Sequence, residues 1–113
     1  MAFNMQTFEP AIRTLRREWD ALELRWTVSP ISPNHGKAVT RAEFEGAGWL
    51  ASVIVWETGE LELDAARVAD GLLVAKHYDV VGDGLDAVLA ELIALVRDDA
   101  LPSGATTSWP GAR

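Results

Sequence analysis

The sequence predicts a single α+β domain in which an antiparallel sheet is preceded by one helix and followed by another. Three observations carry this prediction. Apolar residues recur at helical spacing near the amino terminus and again in the last third of the chain. Between these segments, residues 37–80 alternate apolar and polar side chains and are interrupted by short glycine-containing turns, which is typical of strands joined by hairpins. A chain of 113 residues has room for one hydrophobic core.

The first element is predicted to be an amphipathic helix that starts near Thr7. Its apolar side chains follow steps of four and three residues and therefore form one stripe: Phe8, Ile12, Leu15, Trp19 and Leu22. Thr7 can cap the first turn, and Pro10 needs no amide hydrogen at that position. The segment 24–28 fits alternation as well as a helix, so both interpretations stay open there.

Four strands are predicted after the proline-containing loop at residues 29–36. They cover residues 37–45, 49–57, 60–66 and 72–80. Because the turns between them are too short for parallel crossovers, sequential strands should be antiparallel neighbours. The result is a β-meander of four strands, or of five if residues 24–28 also form a strand. The second strand is rich in valine, isoleucine and tryptophan, which predicts a central position with much of both faces covered.

Alternation assigns the side chains of each strand to two faces. In the third strand, leucine and alanine face inward, and acidic side chains point outward at Glu60, Glu62 and Asp64. In the fourth strand, His77 and Asp79 share one face, whereas Lys76 and Tyr78 lie on the other. The outward face of the sheet is therefore predicted to be largely exposed to solvent and acidic.

The second helix is predicted from a stripe of apolar residues: Leu85, Val88, Leu89, Leu92, Ile93 and Val96. Two amphipathic helices and a sheet with one apolar face predict two layers, with both helices packed on the same face of the sheet. Residues 1–101 would form this domain. Residues 102–113 show no periodicity and are predicted to be a flexible tail.

Charge is distributed unevenly along the chain, whose net charge is −7. Residues 1–42 carry four acids and six bases, whereas residues 43–99 carry thirteen acids and three bases. An acidic middle repels phosphates, which argues against direct binding of nucleic acid and suits a basic partner. The same excess of acid would also keep a small domain in solution without any partner. No apolar run approaches the roughly 20 residues that span a bilayer, so no membrane contact is expected.

The sequence offers no motif for catalysis, metal binding or cofactor binding, so we expect neither an enzyme nor a cofactor. The absence of cysteine excludes thiolate zinc sites and cysteine nucleophiles, and it fits a reducing, cytoplasmic location. His35 and His77 are too far apart in the chain to suggest a metal site. Lys76, His77, Tyr78 and Asp79 include acid–base groups, but alternation splits them between two faces.

Three segments resemble small bacterial immunity proteins: residues 56–64 (WETGELELD), residues 76–79 (KHYD) and the helix of residues 85–96. Those proteins neutralise the toxins of contact-dependent growth inhibition and related polymorphic toxin systems. The resemblance covers about residues 40–97 and lies in size, acidity and the order helix–meander–helix. It implies a cytoplasmic inhibitor that binds a cognate toxin domain, commonly a nuclease, and blocks its active site or substrate surface. It assigns a role to no individual residue.

An acidic surface around aromatic residues fits the interface of such an inhibitor, because a nuclease presents basic groups and opposite charges speed association. We predict a partner-binding surface on the meander with these members: Glu43, Glu57, Glu60, Glu62, Asp64, Asp79, Trp56, His77 and Tyr78. A basic patch on the first helix, at Arg13, Arg16 and Arg17, is a rival surface for an acidic partner. Two other interpretations stay open: a homodimeric adaptor or secretion chaperone, and a small-ligand-binding protein with a cavity between helices and sheet.

Overall fold

The helices and strands of the chain are defined in a computed structural model that describes residues 3–79 and 84–109. A 3₁₀ turn at Met5–Thr7 leads into helices α1 (Phe8–Thr14) and α2 (Arg16–Ala21), and α3 covers Gly84–Asp98. The strands are β1 (Arg25–Val28), β2 (Ser32–Asn34), β3 (Lys37–Gly46), β4 (Trp49–Trp56), β5 (Glu60–Arg67), β6 (Leu73–Asp79) and β7 (Thr106–Ser108). The predicted class, α+β with an antiparallel sheet, is confirmed.

The sheet has the order β1-β3-β4-β5-β6-β7, and β2 pairs with the same edge of β3 as β1. All neighbours are antiparallel, and β3 to β6 form the predicted meander. The prediction of four or five strands was too low, because β2 and β7 have only three residues each and are too short to show alternation. The segment that fitted both helix and strand contains β1.

The N-terminal helix was predicted to be continuous, but the structure breaks it at Leu15. The backbone of Leu15 has φ −94° and ψ 15°, outside the α-helical range, and α2 starts at the next residue. The indole N–H of Trp19 donates to the carbonyl of Ile12 at 2.8 Å, and the same carbonyl also accepts from the Leu15 amide at 3.1 Å. Thr7 makes no capping hydrogen bond; its hydroxyl donates to the Asn4 carbonyl, where the preceding 3₁₀ turn begins.

The three helices lie against one face of the sheet. The rings of Trp19 in α2 and Phe44 in β3 have centroids 4.8 Å apart, and Lys76 in β6 pairs with Glu91 in α3 at 3.2 Å. Phe44 and Lys76 belong to the same face through the cross-strand register. The core lies between this face and the helices, and its largest fully buried members are Phe8, Ile12, Trp19, Val53, Val55, Leu61, Leu63, Val74, Leu89, Leu92 and Leu95.

The carboxyl-terminal segment extends the sheet. Thr106–Ser108 pairs with residues 73–75 of β6, so the tail that was predicted to begin at residue 102 contains a strand. Residues 110–113 of that tail and Val80 of the predicted fourth strand lie outside the described residues. No helix in the described ranges combines the length and apolar character needed to cross a membrane.

Candidate functional site: the open face of the sheet

The sheet face opposite the helices carries no helix among residues 3–79 and 84–109, and we call it the open face. Strand register arranges its side chains in rows across the sheet. The first row contains Arg25, Glu45, Leu50, Ala66, Leu73 and Ser108, and the second contains Thr27, Glu43, Ser52, Asp64, Ala75 and Thr106. The third contains Arg41, Ile54, Glu62 and His77, and the last contains Val39, Trp56, Glu60 and Asp79.

Most of the predicted partner-binding residues are brought together on this face: Glu43, Trp56, Glu60, Glu62, Asp64, His77 and Asp79. Glu57 lies in the β4–β5 turn, where its carboxylate accepts a hydrogen bond from the Ala38 amide at 2.9 Å. That contact ties the turn to β3, so this carboxylate is engaged within the fold.

Tyr78 lies on the helix side of the sheet, as alternation with His77 requires, and therefore does not join the other predicted residues. It is half-buried against the core. Its hydroxyl has no hydrogen-bond partner among the described residues. Burial raises the pKa of Tyr78 above its ordinary value, and the nearby carboxylate of Glu91 raises it further. The phenol is therefore neutral at physiological pH and packs between the sheet and the helices.

Four carboxylates of the open face have a basic neighbour: Glu45 with Arg25 at 2.6 Å, Glu43 with Arg41 at 3.9 Å, Glu60 with Lys37 at 3.4 Å, and Glu62 with His77 at 2.7 Å. Asp64 and Asp79 have no ion pair with any described residue. Exposed pairs of this kind contribute little to stability. Six carboxylates against three cations, Arg25, Lys37 and Arg41, nevertheless leave the face negative at neutral pH.

A shallow groove of about 460 Å³ runs across the first two rows of the open face and is lined by residues of β3 to β7. Within the groove, Leu50 and Leu73 stand on either side of Ala66 in the first row and are 47% and 40% exposed. Asp64 lies in the next row, between the small side chains of Ser52 and Ala75. The prediction that β4 is covered on much of both faces was wrong at Leu50, because nothing described packs over it.

Asp64 is the carboxylate of the groove with the least favourable surroundings. Partial burial raises its pKa, and repulsion from the neighbouring Glu62 raises it further. The small residues on either side offer it no positive charge. The ionised form of Asp64 is therefore less stable here than in water, and a cation placed in the groove would stabilise it.

His77 carries the main pH-dependent charge of the open face. Its Nδ1 lies 2.7 Å from a Glu62 oxygen, and this hydrogen bond is the largest cause of a raised pKa of His77. The charges of Glu62, Asp79 and Glu60 also raise the pKa, whereas partial burial opposes them. Because the pKa of His77 is raised in the folded state, its pairing with Glu62 contributes to folding stability below the unfolded pKa of about 6.5. That contribution is lost as pH rises through the folded pKa.

We expect an NMR titration of the imidazole protons to give a pKa of His77 above about 6.5 in the wild type. In Glu62→Gln, the pKa should fall toward that value, because the amide keeps the shape of the side chain but not its charge. An unchanged pKa of His77 in Glu62→Gln would contradict the assigned pair.

Within the described ranges, no group of three or more histidine, aspartate or glutamate side chains is arranged to hold a metal ion. Comparison of the chain with protein-family models, curated proteins and solved structures found no match. We therefore infer function from the geometry and charge of the open face.

Sequence reasoning missed the apolar part of this site. Leu50 and Leu73 each fall out of phase with the buried residues of their own strand, which is a signal for an outward apolar side chain. That signal could have marked both as surface residues. Their alignment across Ala66 follows only from the strand register.

Proposed function

We propose that this chain is a protein-binding domain that uses the open face of its sheet to bind a basic partner. The partner we propose is a toxin domain, commonly a nuclease, which the chain would neutralise as the immunity proteins it resembles do. One observation carries the proposal: a broad sheet face, free of helices in the described ranges, combines six carboxylates with a half-buried tryptophan and exposed leucines.

Charge and shape together favour a protein partner. Glu60, Glu62 and Asp64 follow one another at every second residue of β5, so their charges repeat at about 6.8 Å along a straight line. A regular row of negative charges resembles a phosphate backbone, which a nuclease is built to bind. Acidic residues also accelerate association with a basic protein, and apolar contacts slow its dissociation.

The groove favours a surface interaction over a small-molecule cavity. It crosses the outside of the sheet and opens to solvent, whereas an enclosed ligand site would lie between the helices and the sheet. The buried residues between those layers are almost all apolar, with Thr40 the only polar residue among the buried ones described. Its hydroxyl donates to the Ser29 carbonyl at 2.7 Å and is thereby satisfied.

The direct experiment is capture of the tagged chain from its native cells at low salt, followed by mass spectrometry and a nuclease assay of the eluate. We expect a basic protein in stoichiometric amount, released at high salt because exposed charges are screened. Its nuclease activity should appear only after the chain is removed. Recovery of the chain alone, as a monomer or a homodimer, would contradict the proposal and favour the adaptor interpretation.

A further inference from the structure

We propose that the groove of the open face is an anchor site for one lysine or arginine side chain of the protein partner. This inference rests on the proposed function, because it names the side chain that a basic partner places in the groove. The occupant is a basic side chain because the groove joins apolar walls to a carboxylate that lacks a cation.

The two leucines form walls that fit an aliphatic stem. Leu50 in β4 and Leu73 in β6 are separated by Ala66 in β5, so their backbones are about 10 Å apart, twice the spacing between neighbouring strands. The methyl group of Ala66 fills little of this interval. A slot one side chain wide remains, and the methylene groups of lysine or arginine would contact a leucine on each side.

The charged end of such a side chain would lie over Asp64. Asp64 and Ala66 are two residues apart on β5, about 6.8 Å along the strand, which an extended lysine or arginine can span. Ser52 on β4 is the direct neighbour of Asp64 in its row, and its hydroxyl oxygen can accept a further N–H group. An ammonium or guanidinium group would therefore find one carboxylate and one neutral acceptor.

The groups around Asp64 also explain why other side chains fit poorly. Glu43 on β3 and Glu62 on β5 add negative charge near the groove, so an acidic side chain would be repelled. An uncharged apolar side chain would contact the leucines but would cover Asp64 without pairing it, which costs free energy. Only a cation with a hydrocarbon stem satisfies both parts of the groove.

The test is an NMR titration of the ¹⁵N-labelled full chain with two capped pentapeptides, Gly-Gly-Arg-Gly-Gly and Gly-Gly-Lys-Gly-Gly. Two further probes test the aliphatic stem and the positive charge separately. The same peptide with norleucine at its centre has the stem without the charge, and methylammonium ion has the charge without the stem. Saturable shifts centred on the amides of Ser52, Ala66 and Ala75 are expected with the basic peptides. Norleucine and methylammonium should bind much more weakly, because each lacks one half of the recognised group.

Asp64→Asn should weaken binding of the basic peptides by about tenfold, the loss typical of one charge-assisted hydrogen bond. Asp20→Asn is the matched control, because it makes the same change at an exposed position of α2, away from the open face, and should leave the affinity unchanged. Leu73→Ala, which removes one wall, should also weaken binding. Equal effects of Asp64→Asn and Asp20→Asn, or equal binding of methylammonium and peptide, would overturn the proposed anchor site.

The anchor and the proposed function fail in different ways. A captured partner that binds Asp64→Asn as tightly as the wild type overturns the anchor and leaves the proposed function standing. If capture from native cells returns no partner, the proposed function fails and the anchor fails with it.

Discussion

Trp19→Ala should lower the free energy of unfolding by about 3–5 kcal/mol, which is a large part of the total stability of a domain this size. The indole of Trp19 is fully buried and contacts the ring of Phe44. It also donates to the Ile12 carbonyl at the break between α1 and α2. Truncation therefore leaves a cavity in the core and removes a hydrogen bond that holds two short helices together.

Urea denaturation, monitored by far-UV circular dichroism, measures this loss of unfolding free energy. Trp109→Ala is the matched control, because Trp109 is 51% exposed and should change stability by less than about 0.5 kcal/mol. A similar loss of stability in both variants would show that Trp19 does not hold the helices on the sheet.

Gly46→Ala, at the end of β3, should be more damaging than Gly48→Ala in the turn that follows. Gly46 has φ +142°, which residues with side chains rarely adopt, and an added Cβ would overlap the backbone carbonyl oxygen of Glu23. That carbonyl is part of the backbone and cannot rotate away as a side chain would. Relief requires β3 and the end of α2 to separate, so we expect a cost of about 3 kcal/mol or more.

Gly48→Ala provides the comparison for this prediction. Gly48 has φ +81° and nothing within 4 Å of an added Cβ, so only the backbone conformation is penalised. We expect a cost of about 1–2 kcal/mol there. Thermal or urea unfolding of both variants separates the two effects. Equal losses would mean that the close approach of Gly46 to Glu23 does not constrain the fold.

The meander could be predicted because its signals are local. Alternation fixed which side chains of β3, β5 and β6 point outward, and short glycine-containing turns fixed the order of neighbours. The break at Leu15 could not be predicted, because the spacing of apolar residues is the same in a continuous helix and in two helices joined at one residue. Strand β7 was missed because Thr106–Ser108 has no alternation of its own.

The charges of the candidate site could be predicted from the sequence, but the shape of its groove could not. A period of two places Glu60, Glu62 and Asp64 on one face whatever the neighbouring strands do. The groove depends on Leu50, Ala66 and Leu73 falling in one row, which requires the register of β4, β5 and β6. Register is set by the geometry of the hairpins, so it cannot be derived from the alternation within a single strand.

Simultaneous charge reversal tests whether the open face is the partner interface. The test variant reverses the three acidic side chains that β5 places on the open face: Glu60→Lys, Glu62→Lys and Asp64→Lys. The control reverses three exposed acids in and just after α2, on the helix side of the molecule: Glu18→Lys, Asp20→Lys and Glu23→Lys. Both variants change net charge equally, and circular dichroism with urea denaturation checks that each one folds.

The measurement is calorimetric titration of each folded variant with the captured partner at low and high salt. We predict that reversal on β5 weakens binding by at least about 100-fold, because repulsion replaces attraction at the interface. Reversal on the helix side should change it by less than about threefold, and salt should weaken wild-type binding. Equal effects of the two reversals, or unchanged binding after reversal on β5, would contradict the assignment of the open face as the interface.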